Sequence, residues 1–171
     1  MKLNNYYPNA RFLDTGRQLV TTRCTVYASS DYNPAVGQHP GIMLTATEDG
    51  DNWAQMDISV PANMKIVAAC TSVGYSAETA SSTGSVMQLW ATDGKTPIAN
   101  VDPGWNKVSP EFTAPSNGVL RVTFRAPKTN GKSFSVMNVF IGTLADWQQL
   151  GKILPTPWFD LSIMRLIGGG A

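Results

Sequence analysis

Histidine occurs once in this 171-residue chain, at position 39, within Val36-Gly37-Gln38-His39-Pro40-Gly41. One imidazole is enough for a nucleophilic triad, but no Gly-x-Ser-x-Gly elbow is present to offer it a serine. Neither Cys24 nor Cys70 stands in a catalytic context, and the surrounding turn residues make His39 a surface-loop histidine. Carboxylate chemistry is the next candidate, because glycoside hydrolysis needs two acids roughly 5 to 10 Å apart across a cleft. Glu48, Asp49, Asp51 and Asp57 are the one local concentration among 12 acids. Almost any chain with that many acids yields such a pair, so no hydrolase is expected and no catalytic residue is assigned.

The same acids, in Thr47-Glu48-Asp49-Gly50-Asp51-Asn52-Trp53, also suggest a hard cation. Counted as an EF-hand loop from Asp49, the twelfth position is Val60, where a bidentate Glu is required. Asp49-Gly50 is a hairpin-turn signal in its own right, so a solvated turn is the simpler reading. One His and two separated Cys nearly exclude a transition-metal site. No phosphate-cradling glycine loop precedes a helix, and neither a cofactor nor a metal is expected. Arg121, Arg125, Lys128 and Lys132 form the nearest basic grouping, but a net charge of +1 gives nucleic acid no electrostatic footprint.

Aromatic residues are the remaining resource. Trp53, Trp90, Trp105, Trp147 and Trp158 are accompanied by Tyr6, Tyr7, Tyr27, Tyr32 and Tyr75. Trp53 and Trp105 lie near turns, where exposed rings could stack on a sugar. Buried or interfacial rings are commoner, so these two are candidate glycan-stacking residues only under an alternative reading.

The elements that must position these residues are strands. Only 15% of residues are charged, against roughly 25% in an ordinary globular chain. Thr (16), Ser (13) and Asn (11) supply the polarity, with 15 Gly and 11 Pro. That mixture suits short strands and many turns. Turn signals recur about every eight to twelve residues. They separate expected strands at 18–28, 41–46, 54–60, 64–73, 85–92, 119–126 and 133–142. Met56, Ile58 and Val60 alternate with Gln55, Asp57 and Ser59. Leu120, Val122, Phe124 and Ala126 alternate with Arg121, Thr123 and Arg125. The run 133–142 is apolar on both faces, with Phe134, Val136 and Phe140 set against Met137, Val139 and Ile141, as in a central or interfacial strand. The expected fold is all-β: an antiparallel, jelly-roll-like β-sandwich over residues 16–142.

The ends differ from this body. Residues 1–15 read as an arm carrying Tyr6, Tyr7 and Phe12. Residues 143–171 read as one short helix, with Thr143 as N-cap and Gly151 as C-cap, followed by an apolar arm. Leaving Trp158, Phe159, Ile163, Leu166 and Ile167 in water is costly, at roughly 1.5 to 3 kcal/mol per large side chain. They need a surface, either the chain's own sandwich or a neighbouring subunit. Met1–Ala10 has one Lys and no apolar run, so no signal peptide is expected there, and no segment is long and apolar enough for a membrane helix. Cys24 and Cys70 are expected as buried free thiols.

Three stretches carry a resemblance. They are Asn5-Tyr6-Tyr7-Pro8-Asn9-Ala10-Arg11-Phe12, then Phe112-Thr113-Ala114-Pro115-Ser116-Asn117-Gly118 with its following strand, and the closing strand from Val136 to Thr143 with the apolar tail. In these the chain resembles bacteriophage virion proteins built on a jelly-roll or carbohydrate-binding-module-like sandwich. The resemblance implies a non-enzymatic structural protein of the virion, a capsid decoration (cement) protein or a tail-associated one. Its partners would be further copies of itself, as a homo-oligomer, and the major capsid or tail protein. Tyr6, Tyr7, Phe12, Trp158, Phe159, Ile163, Leu166 and Ile167 would be the docking residues. The alternative is a carbohydrate-binding module that recognises a host surface glycan.

Overall fold

The computed structural model describes residues 3–8, 19–33 and 37–153, with side chains placed for residues 3–8, 19–29 and 41–152. Phe12, Trp158, Phe159, Ile163, Leu166 and Ile167 lie outside the described residues. Eleven strands and one helix follow one another in the described chain. They are β1 (Val20–Thr22), β2 (Cys24–Asn33), β3 (Gly37–Ala46), β4 (Trp53–Ser59), β5 (Lys65–Val73) and β6 (Met87–Ala91). After these come β7 (Ala99–Val101), β8 (Lys107–Val108), β9 (Phe112–Thr113), β10 (Val119–Arg125), β11 (Ser133–Gly142) and α1 (Leu144–Ile153).

All strand pairs are antiparallel. One sheet has the order β1-β4-β10-β6-β7, the other β2-β3-β11-β5-β8, with β9 pairing to β5. The expected jelly-roll-like sandwich is therefore the observed fold. Its core is the inner face of each sheet. Leu120, Val122 and Phe124 of β10 and Met87 and Leu89 of β6 face Ile42 and Leu44 of β3 and Ile66 and Ala68 of β5, all fully buried.

Local departures from the expected strands have physical causes. The run 18–28 is two strands, because Arg23 takes a φ of 52° and turns the chain from one sheet into the other. His39 stands in β3, opposite Asp31, rather than in a loop. Pro40 is tolerated beside it because β11 pairs with β3 only over Gly41–Thr45, so Pro40 faces no second ladder.

β11 is central, between β3 and β5, but it does not keep one alternation. Asn138 adopts a φ of 56° and the register shifts between Met137 and Phe140. This bulge inverts the parity, so Phe134, Val136, Val139 and Ile141 share the core while Phe140 faces outward. The grouping of Phe140 with Phe134 and Val136 is thereby corrected. On the outer side Phe140 joins Val67, Ala69 and Leu150, against which Leu3, Leu144 and Trp147 pack. The Phe140 and Trp147 rings lie 5.4 Å apart.

Helix α1 begins as expected, with the Thr143 hydroxyl accepting from the Asp146 amide at 3.1 Å. It runs on to Ile153, so Gly151 lies inside the helix rather than capping it.

The N-terminal segment belongs to the sandwich. Past Met137, β11 has no β3 partner, and residues 4–7 take that place. The Tyr6 amide donates to the Ile141 carbonyl at 2.7 Å. Asn5 acts as a peptide mimic: its amide group donates to the Val139 carbonyl at 3.0 Å. Its side-chain oxygen accepts from the Ile141 and Tyr7 amides, each at 3.0 Å. Gly142 admits the segment, since a Cβ there would sit 2.5 Å from the Asn4 carbonyl oxygen. Tyr7 is 1% exposed and meets Phe124 edge-on at 5.9 Å. It therefore has no surface to offer a partner, and Tyr6 packs partly against the same core. Both residues bind the chain's own body.

Cys24 and Cys70 are free and buried. The Cys24 thiol donates to the Trp53 carbonyl at 3.1 Å. Burial pushes the Cys24 thiol up to about 11 and the Cys70 thiol up to about 12, from an ordinary 9.0.

Two outcomes are expected from this architecture. Asn5→Ala removes three side-chain hydrogen bonds, two of them to β11 and one to the Tyr7 amide, and lowers unfolding stability by about 2–3 kcal/mol, read from the urea midpoint. The thiol shifts also fix an alkaline limit. Above pH 9 the unfolded chain releases thiol protons that the folded chain retains, so stability falls as pH rises toward 11. The slope is about 1.4 kcal/mol per pH unit for each thiol, and Cys70→Ala makes it shallower.

Candidate functional site

The outer face of the five-stranded sheet is set by the inner one. Because side chains alternate along β10, burying Leu120, Val122 and Phe124 turns Arg121, Thr123 and Arg125 outward. Their registered neighbours form three rows across the sheet. Trp53 pairs with Arg125, Gln55 with Thr123, and Asp57 with Arg121 on the β4 side. On the β6 side Thr123 pairs with Gln88 and Arg121 with Trp90, and Gln88 in turn pairs with Asn100 of β7.

A cleft of about 280 Å³ opens on this face, lined by Asp51, Trp53, Gln55, Trp90, Arg121, Thr123 and Arg125, with Ala91 and Gly94 at one end. Trp53 and Trp90 occupy opposite corners, both half-buried. The middle row is polar and deep: Thr123 is 3% and Gln88 5% exposed. The Thr123 hydroxyl points to Gln55 Oε1 at 3.5 Å, and Gln88 Nε2 donates to Asn100 Oδ1 at 3.1 Å.

Each cation of the face has its own carboxylate. Arg121 meets Asp57 through two bonds, Nε to Oδ1 at 2.8 Å and a terminal nitrogen to Oδ2 at 3.0 Å. This bond raises the Arg121 pKa. Arg125, almost wholly buried, donates to Asp51 and, at 3.1 Å, to Ser82 Oγ, while Ser82 also donates to Asp51. Desolvation lowers the Arg125 pKa, which marks its burial as costly. The other two acids of the 48–57 cluster are structural. Glu48 pairs with Arg23 at 3.2 Å, and Asp49 accepts from the Asn130 amide at 2.8 Å. Among the described residues no group of three His, Cys, Asp or Glu side chains converges as a metal would need.

Three buried polar atoms at this face lack a hydrogen-bond partner: Gln88 Oε1, Trp90 Nε1 and Arg125 Nε. Orphans of this kind are rare inside proteins, where water, an ion or a ligand ordinarily completes the bonding.

Of the two tryptophans expected to stack on sugar, the structure brings Trp53 into the cleft and places Trp105 elsewhere. Trp105 is 44% exposed on the turn before β8, which is bound to the other sheet through Gly104 to Ser72 and Asn106 to Thr71. The indole that joins Trp53 is Trp90. Its signal in the sequence was the alternation of Gln88 and Trp90 with Met87 and Leu89.

No protein-family model matches the chain, and no curated protein sequence does either. Similar solved structures share the fold. The enzymatically active domain of bacteriophage CBA120 tailspike protein 4 matches over 81% of this chain, at a TM-score of 0.53 and 15% identity. An exo-β-agarase matches over 84%, at 0.53 and 7% identity. The chain spans only 21% and 25% of those two structures. A carbohydrate-binding module solved with β-1,4-galactotriose is matched over 82% of this chain and 99% of its own, with a TM-score of 0.45 and 15% identity. The likenesses to the tailspike domain and the agarase are of fold alone, a β-sandwich.

The buried Arg125 makes a stability test of the site. Asp51→Asn leaves that guanidinium without its counter-charge and is expected to cost about 1–3 kcal/mol. Arg125→Met, which removes the buried charge, is expected to be near neutral by the same urea titration.

Proposed function

We propose that this domain is a non-catalytic carbohydrate-binding module whose ligand lies in the Trp53–Trp90 cleft. The observation that carries the reading is the pair of half-buried indoles flanking a row of hydrogen-bonding side chains on a sheet. Sugar rings offer apolar C–H faces and hydroxyl edges, so indoles and amide or hydroxyl groups are the complementary surfaces. Each acid at the cleft is engaged by a guanidinium, which suits a binding face better than a pair of hydrolytic acids.

The particle-stabilising role expected from the sequence rests on Trp158, Phe159, Ile163, Leu166 and Ile167, outside the described residues. Tyr7, its other main support, is core. The glycan reading therefore takes precedence. It is compatible with a virion setting, where the glycan would belong to the host surface. Among the described residues no helix is long and apolar enough to cross a membrane.

Trp53 and Trp90 are four residues apart along β10 and two strand spacings apart across it. Their Cα atoms therefore stand roughly 16 Å apart on the diagonal. At that spacing the two indoles suit successive rings of an oligosaccharide rather than one sugar. Isothermal titration against soluble polysaccharides and their size-graded oligosaccharides is the test. Affinity is expected to rise with chain length. Trp53→Ala and Trp90→Ala should each cost about 2 kcal/mol of binding with the thermal midpoint retained. Full affinity in both variants would remove the cleft from consideration.

A further inference from the structure

We infer that the cleft selects neutral glycans over acidic ones, an inference that rests on the glycan-binding reading. The first support is charge. Arg121 and Arg125 would ordinarily attract a uronate or sulfate, yet both are already occupied by Asp57 and Asp51. An anionic ligand would have to displace a carboxylate tethered to the same face and then remain beside it. The face thus offers two neutral pairs rather than two cations.

The second support is what lies between those pairs. Thr123 and Gln55 offer the cleft a hydroxyl and a side-chain amide, groups that bond a neutral sugar's hydroxyls with no charge to balance.

The experiment uses the full chain and a matched panel: neutral galactan, xylan and mixed-linked β-glucan beside polygalacturonate, alginate and carrageenan. Binding is read by titration calorimetry and by tryptophan fluorescence. At least one neutral glycan is expected to bind at least tenfold more tightly than every acidic one and to shift the emission of Trp90, identified by its loss in Trp90→Phe. An acidic glycan bound as tightly as the best neutral one, with sensitivity to Trp53→Ala, would overturn the selectivity and leave the binding function standing. Absence of binding across the whole panel would sink the glycan-binding reading itself, and this inference with it.

Discussion

The period of two along β10 is the constraint on which the rest depends. One strand, paired on both edges, cannot bury Leu120, Val122 and Phe124 without turning Arg121, Thr123 and Arg125 to the opposite face. A slip of one residue would put two guanidiniums into an apolar core, so the register with β4 and β6 is fixed by burial. Fixing that register also fixes which side chains meet outside: Trp53 beside Arg125, Gln55 beside Thr123, Trp90 beside Arg121. The core thus determines the cleft, and the cleft inherits the stiffness of the core.

That arrangement has a cost at Arg125. A guanidinium 4% exposed on a sheet face is poorly hydrated, and only Asp51 and Ser82 offset the loss. Ion pairs of this kind seldom add net stability compared with apolar replacements. Arg125 is therefore better explained by what it does to the surface: with Asp51 it forms one wall of the cleft and a neutral, hydrogen-bonding edge. Arg121 and Asp57 form a second such edge, more exposed and correspondingly weak for stability. Two paired edges and two indoles give a face rich in hydrogen-bonding groups yet without net charge.

The sequence made the sandwich legible because its signals are local. Alternation in β4 and β10, turn glycines such as Gly118 at a φ of 70°, and the Thr143 cap each depend on a few adjacent residues. What escaped depends on pairing between distant segments. Asn138 carries no strong bulge signature, yet its backbone inverts the faces of β11. Asn5 reads as an arm residue until the gap beside β11 is seen. Trp90 sits on a visibly alternating strand, but only the β6–β10 register shows that it shares a cleft with Trp53. Trp105 has the more exposed position and the stronger turn signal, and it lies with the other sheet.

The two sheets divide the work because their outer faces are covered differently. The bulge in β11 sends Phe140 outward, where α1 and Leu3 must cover it, so part of the six-stranded face serves packing. The five-stranded face carries no helix among the described residues, and its deep polar row stays beneath an open cleft. Side chains on paired strands lose little further freedom when a ligand arrives, so binding there costs less entropy than binding to a loop would. Such a surface suits a long, repetitive ligand, for which a modest gain at each contact accumulates along the chain. The diagonal placement of Trp53 and Trp90 is the geometric form of that requirement, because neither indole alone spans the cleft.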